Sequence, residues 1–275
     1  MPLSDLSVLA WVALAVGAAI IGLSKAALPG AGTLAVALFA AVLPAKQSTG
    51  TILLLLIVGD MFALWAYRRD ADLRSLLRLA PAVVAGLLLG VVFLWFASDD
   101  LVRRGIAVLL LAVVAVTLWR RAVATRSGKR GRRSGTSSES GASDSSAASE
   151  VPRSDSSHRV AAAVYGTLGG FTTMVANAAG PVMSMYFLAA RFPVKAFLGT
   201  AAWFFAIVNI SKVPFSIALG LITPSGLFVV AVLIPVVIAA AFVGRRIATR
   251  IDQRLFDRLV IVLTVVGSLY LLLAP

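Results

Sequence analysis

The apolar residues of this chain come in blocks as long as a helix needs to cross a bilayer, and that excludes most folds before any motif is read. A hydrocarbon core of roughly 30 Å takes about 20 residues of helix. Blocks of this kind recur from Leu6 to Leu273. Of the 275 residues, 60% are hydrophobic and 13% are charged, and mean hydropathy is +0.95. That leaves too little polar surface for a water-soluble domain of this size. The blocks also lack the dyad alternation of an outer-membrane barrel. The expected fold is all-α, a polytopic helical membrane protein. There is no cysteine, so thiolate chemistry and disulfides are excluded. Met1 to Leu6 lack the basic start of a cleaved signal peptide, so the first block reads as a retained transmembrane segment.

Five blocks precede a change of character. They run from about Leu6 to Leu23, Pro29 to Leu43, Ser48 to Tyr67, Leu76 to Phe96 and Leu101 to Trp119. The second reaches only about 22 Å, short of a comfortable span. Residues 120–158 begin with arginines and continue as a Ser/Gly/Ala-rich tract. So little apolar area cannot offset its ordering entropy, and a disordered linker is expected. His158, the only histidine, lies at its end and reads as solvated. Five more blocks follow, at about Val160–Val175, Pro181–Ala190, Ala196–Leu221, Ser225–Val243 and Phe256–Leu273, and again the second is short.

The two sets align. Pro44-Ala45-Lys46-Gln47-Ser48-Thr49-Gly50-Thr51 and Pro193-Val194-Lys195-Ala196-Phe197-Leu198-Gly199-Thr200 share Pro-x-Lys-x-x-x-Gly-Thr. At the same offset Asp60 falls opposite Asn209 and Gly32 opposite Pro181, while Pro81 and Gly90 match the spacing of Pro235 and Gly244. Coincidences in one order indicate an internal duplication. Residues 1–119 form a first transmembrane repeat, 120–158 the linker and 159–275 a second repeat, each of four or five segments. Arg68, Arg69, Arg74 and Arg78, the linker, and Arg245, Arg246, Arg250, Arg254 and Arg258 mark cytoplasmic loops. Arg103 and Arg104 count against this orientation. An odd number of segments per repeat makes the repeats inverted in topology. The net charge of +13 reads as orientation signal rather than as a nucleic-acid partner.

Both repeats are interrupted after their first block. Gly22-Leu23-Ser24-Lys25-Ala26-Ala27-Leu28-Pro29-Gly30-Ala31-Gly32-Thr33 and Thr172-Thr173-Met174-Val175-Ala176-Asn177-Ala178-Ala179-Gly180-Pro181 are small and polar and contain helix breakers. Broken backbone is tolerated at membrane depth only where protein or a water-filled cavity covers it. New helices starting near Thr33 and Val182 would turn free N–H groups and positive dipole ends to the bilayer middle, which suits an anion. Paired short, Gly/Pro-interrupted segments point to a transporter site. Close packing of small residues is the plainer reading, but it explains neither the paired prolines nor polar Ser24, Lys25 and Asn177. Lys25, Asp60 and Lys212 are charges at apolar depth, and Asp60 and Lys212 are expected to approach each other near the pseudo-twofold axis. Pro214 predicts irregular backbone beside Lys212. Lys46 and Lys195 read as interfacial, and Trp11, Trp65, Trp95 and Trp119 as an aromatic belt.

No metal-ligand cluster, acidic Mg²⁺ motif or phosphate-binding loop for ATP occurs, so no cofactor and no enzyme activity are expected.

At these residues the chain resembles the sulfite exporter TauE/SafE family of membrane transporters. The first-half match is Gly22-Leu23-Ser24-Lys25 with Leu28-Pro29-Gly30-Ala31-Gly32. The second is Met174 to Met183, Phe197-Leu198-Gly199-Thr200-Ala201-Ala202-Trp203-Phe204-Phe205 and Asn209-Ile210-Ser211-Lys212-Val213-Pro214. The resemblance implies two duplicated helical modules in the cytoplasmic membrane moving sulfite, organosulfonates or related small anions, with fewer spanning helices than the ten blocks counted here. The central site is expected to comprise Ser24, Lys25, Gly30, Gly32, Thr33, Asn177, Gly180 and Pro181, with Asp60 and Lys212 as intramembrane charges. The expected partners are a small anion and the lipid bilayer; a homo-oligomer stays open. The alternative is an importer or exchanger of another small anion, such as a carboxylate or thiosulfate.

Overall fold

The computed structural model describes residues 6–26, 31–133, 155–189, 192–247 and 253–273. These form ten α-helices and one 3-10 turn at Arg68–Asp70. The first five helices are α1 (Val8–Ala26), α2 (Gly32–Val42), α3 (Ala45–Tyr67), α4 (Leu73–Phe96) and α5 (Asp99–Arg133). The second five are α6 (Asp155–Ala176), α7 (Ala179–Ala189), α8 (Val194–Ala218), α9 (Pro224–Ile247) and α10 (Gln253–Leu273). Six of them, α1, α3, α4, α5, α8 and α9, are long and apolar enough to cross a membrane. Helices α2 and α7 have 11 residues each, about 17 Å of rise, and cannot cross alone.

Two departures from the sequence reading concern where helices continue. Helix α5 continues to Arg133, so residue 119 ends the apolar stretch and not the helix. Ala, Arg and Lys are good helix formers once a helix is already nucleated in the membrane. The expected linker is therefore helical at 120–133 and again from Asp155, and its residues 134–154 lie outside the described residues. Helix α8 runs unbroken through Pro214, as α4 and α9 do through Pro81 and Pro235. Neighbouring helices let membrane helices carry interior prolines.

The shared Pro-x-Lys motif acts as a start signal. Pro44 and Pro193 both stand at the N-cap in extended backbone, with φ −49°, ψ 138° and φ −58°, ψ 147°. The freed N–H groups of Ala45 and Lys46 donate to the Asp99 carboxylate at 3.0 and 2.9 Å, so the start of α5 caps α3. Asp72 caps α4, accepting from Arg74 N–H at 3.1 Å, Ser75 N–H at 3.2 Å and the Ser75 hydroxyl at 2.7 Å. The Ser75 hydroxyl above all holds the Asp72 carboxyl below the usual carboxylate value. A folded-state pKa below the unfolded one gives stability that is present above about pH 4 and lost as pH falls through the folded value. Asp72→Ala should cost about 1 kcal/mol at neutral pH. In thermal melts the gap from wild type should close as the buffer is acidified.

Helix association in lipid has little hydrophobic driving force, and small residues bring the backbones together instead. Helix α1 packs along α9 and α4 along α6, while α3 crosses α8 and α10 lies against α5 and α2. Gly22 of α1 sits on the Val237 carbonyl, and Gly86 of α4 on that of Thr167. Gly170 of α6 faces the Val83 carbonyl in return. At one end of the molecule, the start of α3 meets the α8–α9 connection, with Gly50 on the Leu221 carbonyl and Gln47 Nε2 donating to Ser225 Oγ at 3.0 Å. At the other, the first turns of α8 meet the α3–α4 connection: Asp72 N–H donates to Thr200 Oγ1 at 2.9 Å and Trp203 Nε1–H to the Arg68 carbonyl at 3.3 Å. Trp65 and Trp95 are exposed near helix ends and Trp119 at the end of the apolar stretch of α5, as an aromatic belt requires.

Candidate functional site

The second interruption is a sharp left-handed cap. Helix α6 ends at Ala176, and Asn177 follows with φ 50°. Asparagine is one of the few residues other than glycine that visits this region readily, because its short amide bonds locally. Asn177 N–H and Ala178 N–H close onto the carbonyls of Thr173 and Thr172 at 3.1 and 3.3 Å. Helix α7 starts at Ala179, three residues before the expected start at Val182, which puts Pro181 in its first turn where a missing N–H costs nothing. The first interruption joins Ala26 to Gly32, and its residues 27–30, including the expected site residue Gly30, lie outside the described residues.

A cavity of about 90 Å³ lies where the two interruptions meet, enough for several waters or one small anion. Ser24 and Lys25 reach it from the end of α1, and Gly32 and Thr33 from the first turn of α2. Asn177, Gly180 and Pro181 line it from the second break, and Asp60 and Asn209 from α3 and α8. Every described residue expected at the site lines this space except Lys212, which stands behind its wall. The other walls include Tyr67, at the last turn of α3, Ser184 and Phe187 of α7, and Phe197, Leu198 and Phe205 of α8. The cavity thus extends from the helix breaks toward the end of the molecule that carries Arg68 and Arg69.

The charges around it form one connected chain. Lys25 Nζ lies 2.5 Å from Asp60 Oδ1 and 4.3 Å from the centre of the Phe205 ring. Asp60, fully buried, accepts from Asn209 Nδ2 through its other oxygen at 2.7 Å. Lys212, 1% exposed, donates to the Asn177 amide oxygen at 2.6 Å, the Thr173 carbonyl at 2.7 Å and Thr173 Oγ1 at 3.2 Å, with Asn209 Oδ1 at 3.4 Å. Asn177 Nδ2 in turn donates to the Thr49 carbonyl at 3.0 Å. This corrects the expected pairing. Asp60 and Lys212 belong to one network, but Asn209 stands between them and the direct partner of Asp60 is Lys25. The reason is reach: Lys25 leaves the broken end of α1 beside Gly59, whose missing side chain lets the lysine stem lie against α3.

Several of these positions were not singled out as site residues. Asn209 carried a signal, its alignment with Asp60, and Thr173 lay inside the polar break itself. Phe197 and Phe205 lay inside the motif that carries the family resemblance and Thr49 inside the duplicated Pro-x-Lys stretch, whereas Ser184, Tyr67 and Phe187 carried no signal, since such residues in apolar blocks read equally well as packing.

Among the described residues no group of His, Cys, Asp and Glu could hold a metal ion. No curated protein and no solved structure gives a match to this chain. The family model described as sulfite exporter TauE/SafE matches residues 14–271. The match covers both interruptions, the buried charge chain, five of the six long apolar helices in full and α1 from Leu14 onward. The chain is therefore a multi-pass membrane protein of the transporter type and belongs to the sulfite exporter TauE/SafE family.

Proposed function

We propose that this chain is a secondary transporter that carries sulfite or an organosulfonate out of the cytoplasm, by alternating access of two inverted halves around the central cavity. The observation that carries the reading is the cavity itself, at the meeting point of two helix interruptions and lined by Lys25 and by the first turns of α2 and α7. Helix N-termini offer unpaired N–H groups and a positive dipole end to an anion. Interrupted helices from the two halves of a duplicated chain are where secondary transporters hold their substrates.

Inversion is supported by how the helices exchange partners together with the antiparallel run of α3 and α8, whose starts lie at opposite ends of the molecule. The first helix of each half packs on the fourth of the other, α1 on α9 and α6 on α4, while α3 meets α8 and α5 meets α10. A twofold axis relating the halves requires that pattern, and the aligned pair Asp60 and Asn209 are in direct contact where it would pass. The basic connections lie at the end toward which the cavity extends, and positive loops face the cytoplasm. That geometry gives the cavity access from inside, the side on which an exporter loads. The bilayer is then the cytoplasmic membrane, and residues 120–158 lie on its inner side.

Two variants test the site in proteoliposomes. Asn177→Gly keeps the left-handed backbone but removes the amide, and Lys25→Met with Asp60→Leu removes the ion pair without leaving a lone charge. Each should lower sulfite flux at least tenfold at normal protein yield. Unchanged flux in both would sink the site proposal.

A further inference from the structure

The cavity walls carry a countable charge, and the count selects a substrate by valence. Lys212 Nζ lies within hydrogen-bond distance of four oxygens: the Thr173 carbonyl at 2.7 Å, the Asn177 amide oxygen at 2.6 Å, the Asn209 amide oxygen at 3.4 Å and the Thr173 hydroxyl at 3.2 Å. Both amides are oriented by their nitrogen ends, which donate to the Thr49 carbonyl and to Asp60, so their oxygens must face the lysine. Three of these four oxygens, one carbonyl and two amides, can only accept, and three such contacts take the three N–H bonds of an ammonium. Lys25 and Asp60 are in ion-pair contact and cancel. The pair plus Lys212 carries one net positive charge, held at 0–1% exposure apart from Lys25.

Helix ends leave that sum unchanged. Helices α1 and α6 end at the interruptions, and α2 and α7 begin there. Two termini of about minus half a charge offset two of about plus half. The other titratable group lining the cavity is the Tyr67 phenol.

We propose that the interior site is built for a singly charged oxyanion, a sulfonate or a singly protonated acid, and that it discriminates against dianions. This rests on the anion-site reading above and adds the charge of the substrate to it. A monoanion brings the buried cluster to neutrality. A dianion leaves an unpaired negative charge in a low-dielectric interior, where uncompensated charge is costly. Specificity here is the difference between those two sums.

The test is binding of two anions of fixed charge to the full-length protein in detergent, methanesulfonate as the monoanion and sulfate as the dianion, by isothermal titration calorimetry near neutral pH. Wild type should bind methanesulfonate at least tenfold more tightly than sulfate. Asp60→Asn raises the sum by one while preserving shape, and it should narrow or reverse that ratio by tenfold or more. Lys212→Met lowers the sum to zero and should weaken both anions. Sulfate binding as well as methanesulfonate to wild type would overturn the valence rule and leave the anion site standing. A ratio unmoved by Asp60→Asn would assign the preference to shape and overturn the rule equally. Binding of neither anion would overturn both readings.

Discussion

Lys25→Met should destabilise the protein by about 3–5 kcal/mol, the cost of removing one partner of a buried ion pair. Asp60 is fully buried, and without Lys25 its remaining direct contact is the single amide of Asn209. The converse change should be milder. With Asp60→Asn, Lys25 keeps 11% exposure at the edge of the cavity and can turn its ammonium toward water or a bound anion. The two single variants therefore differ in size although they break the same bond. Lys25→Met with Asp60→Leu should regain most of the lost stability, because a buried pair replaced by apolar residues of similar volume is often neutral. Thermal melts of the purified protein in one detergent would read all three. A double variant as unstable as the sum of the singles would mean the two side chains act independently. By the same geometry, exchanging the charges of Asp60 and Lys212 should rescue nothing, since Asn209 separates them.

The second large effect lies in the contact between α4 and α6. A Cβ on Gly86 would fall on the Thr167 carbonyl, and one on Gly170 on the Val83 carbonyl, closer than real Cβ atoms approach. The obstacle in each case is backbone, which cannot rotate away as a side chain can. Gly170→Leu should separate the helices and cost about 1–3 kcal/mol or more. Separation of α4 from α6 would also shift the Asn177 cap, so transport should fall with stability. Gly105→Ala is the matched control, because the nearest atom to its added methyl is the edge of the Phe93 ring at 3.3 Å, which can tilt. Melting temperature and the monodisperse fraction on size exclusion separate the two. Equal behaviour of Gly170→Leu and Gly105→Ala would remove the close-approach account of this interface.

Particular residues show where sequence reasoning reached and where it stopped. Pro44 and Pro193 announced the starts of α3 and α8 because proline's constraints on backbone are local. Asn177 and Pro181 announced a break for the same reason, though the new helix begins at Ala179. The end of α5 was misjudged, because composition alone cannot tell a charged helical extension from a linker. Asp60 was recognisable as a buried charge from its apolar neighbours, but its partner was not.

Apolar length, proline position and basic loops are properties of the chain taken a few residues at a time. By themselves they determined that this protein is helical, spans a membrane and is interrupted twice in matching places. Which atoms meet across those interruptions depends on helix crossings between residues far apart in sequence. Lys25 and Asp60 come from different helices, and the glycine beside Asp60 that admits the lysine stem has meaning only once α1 lies against α3. The pairing of Asp60 with Lys25, the enclosure of Lys212 by Asn177, Thr173 and Asn209, and the net charge they present to the cavity were decided by tertiary structure alone. Electrostatics at these distances is set by ångström-scale packing, which no spacing along the chain encodes.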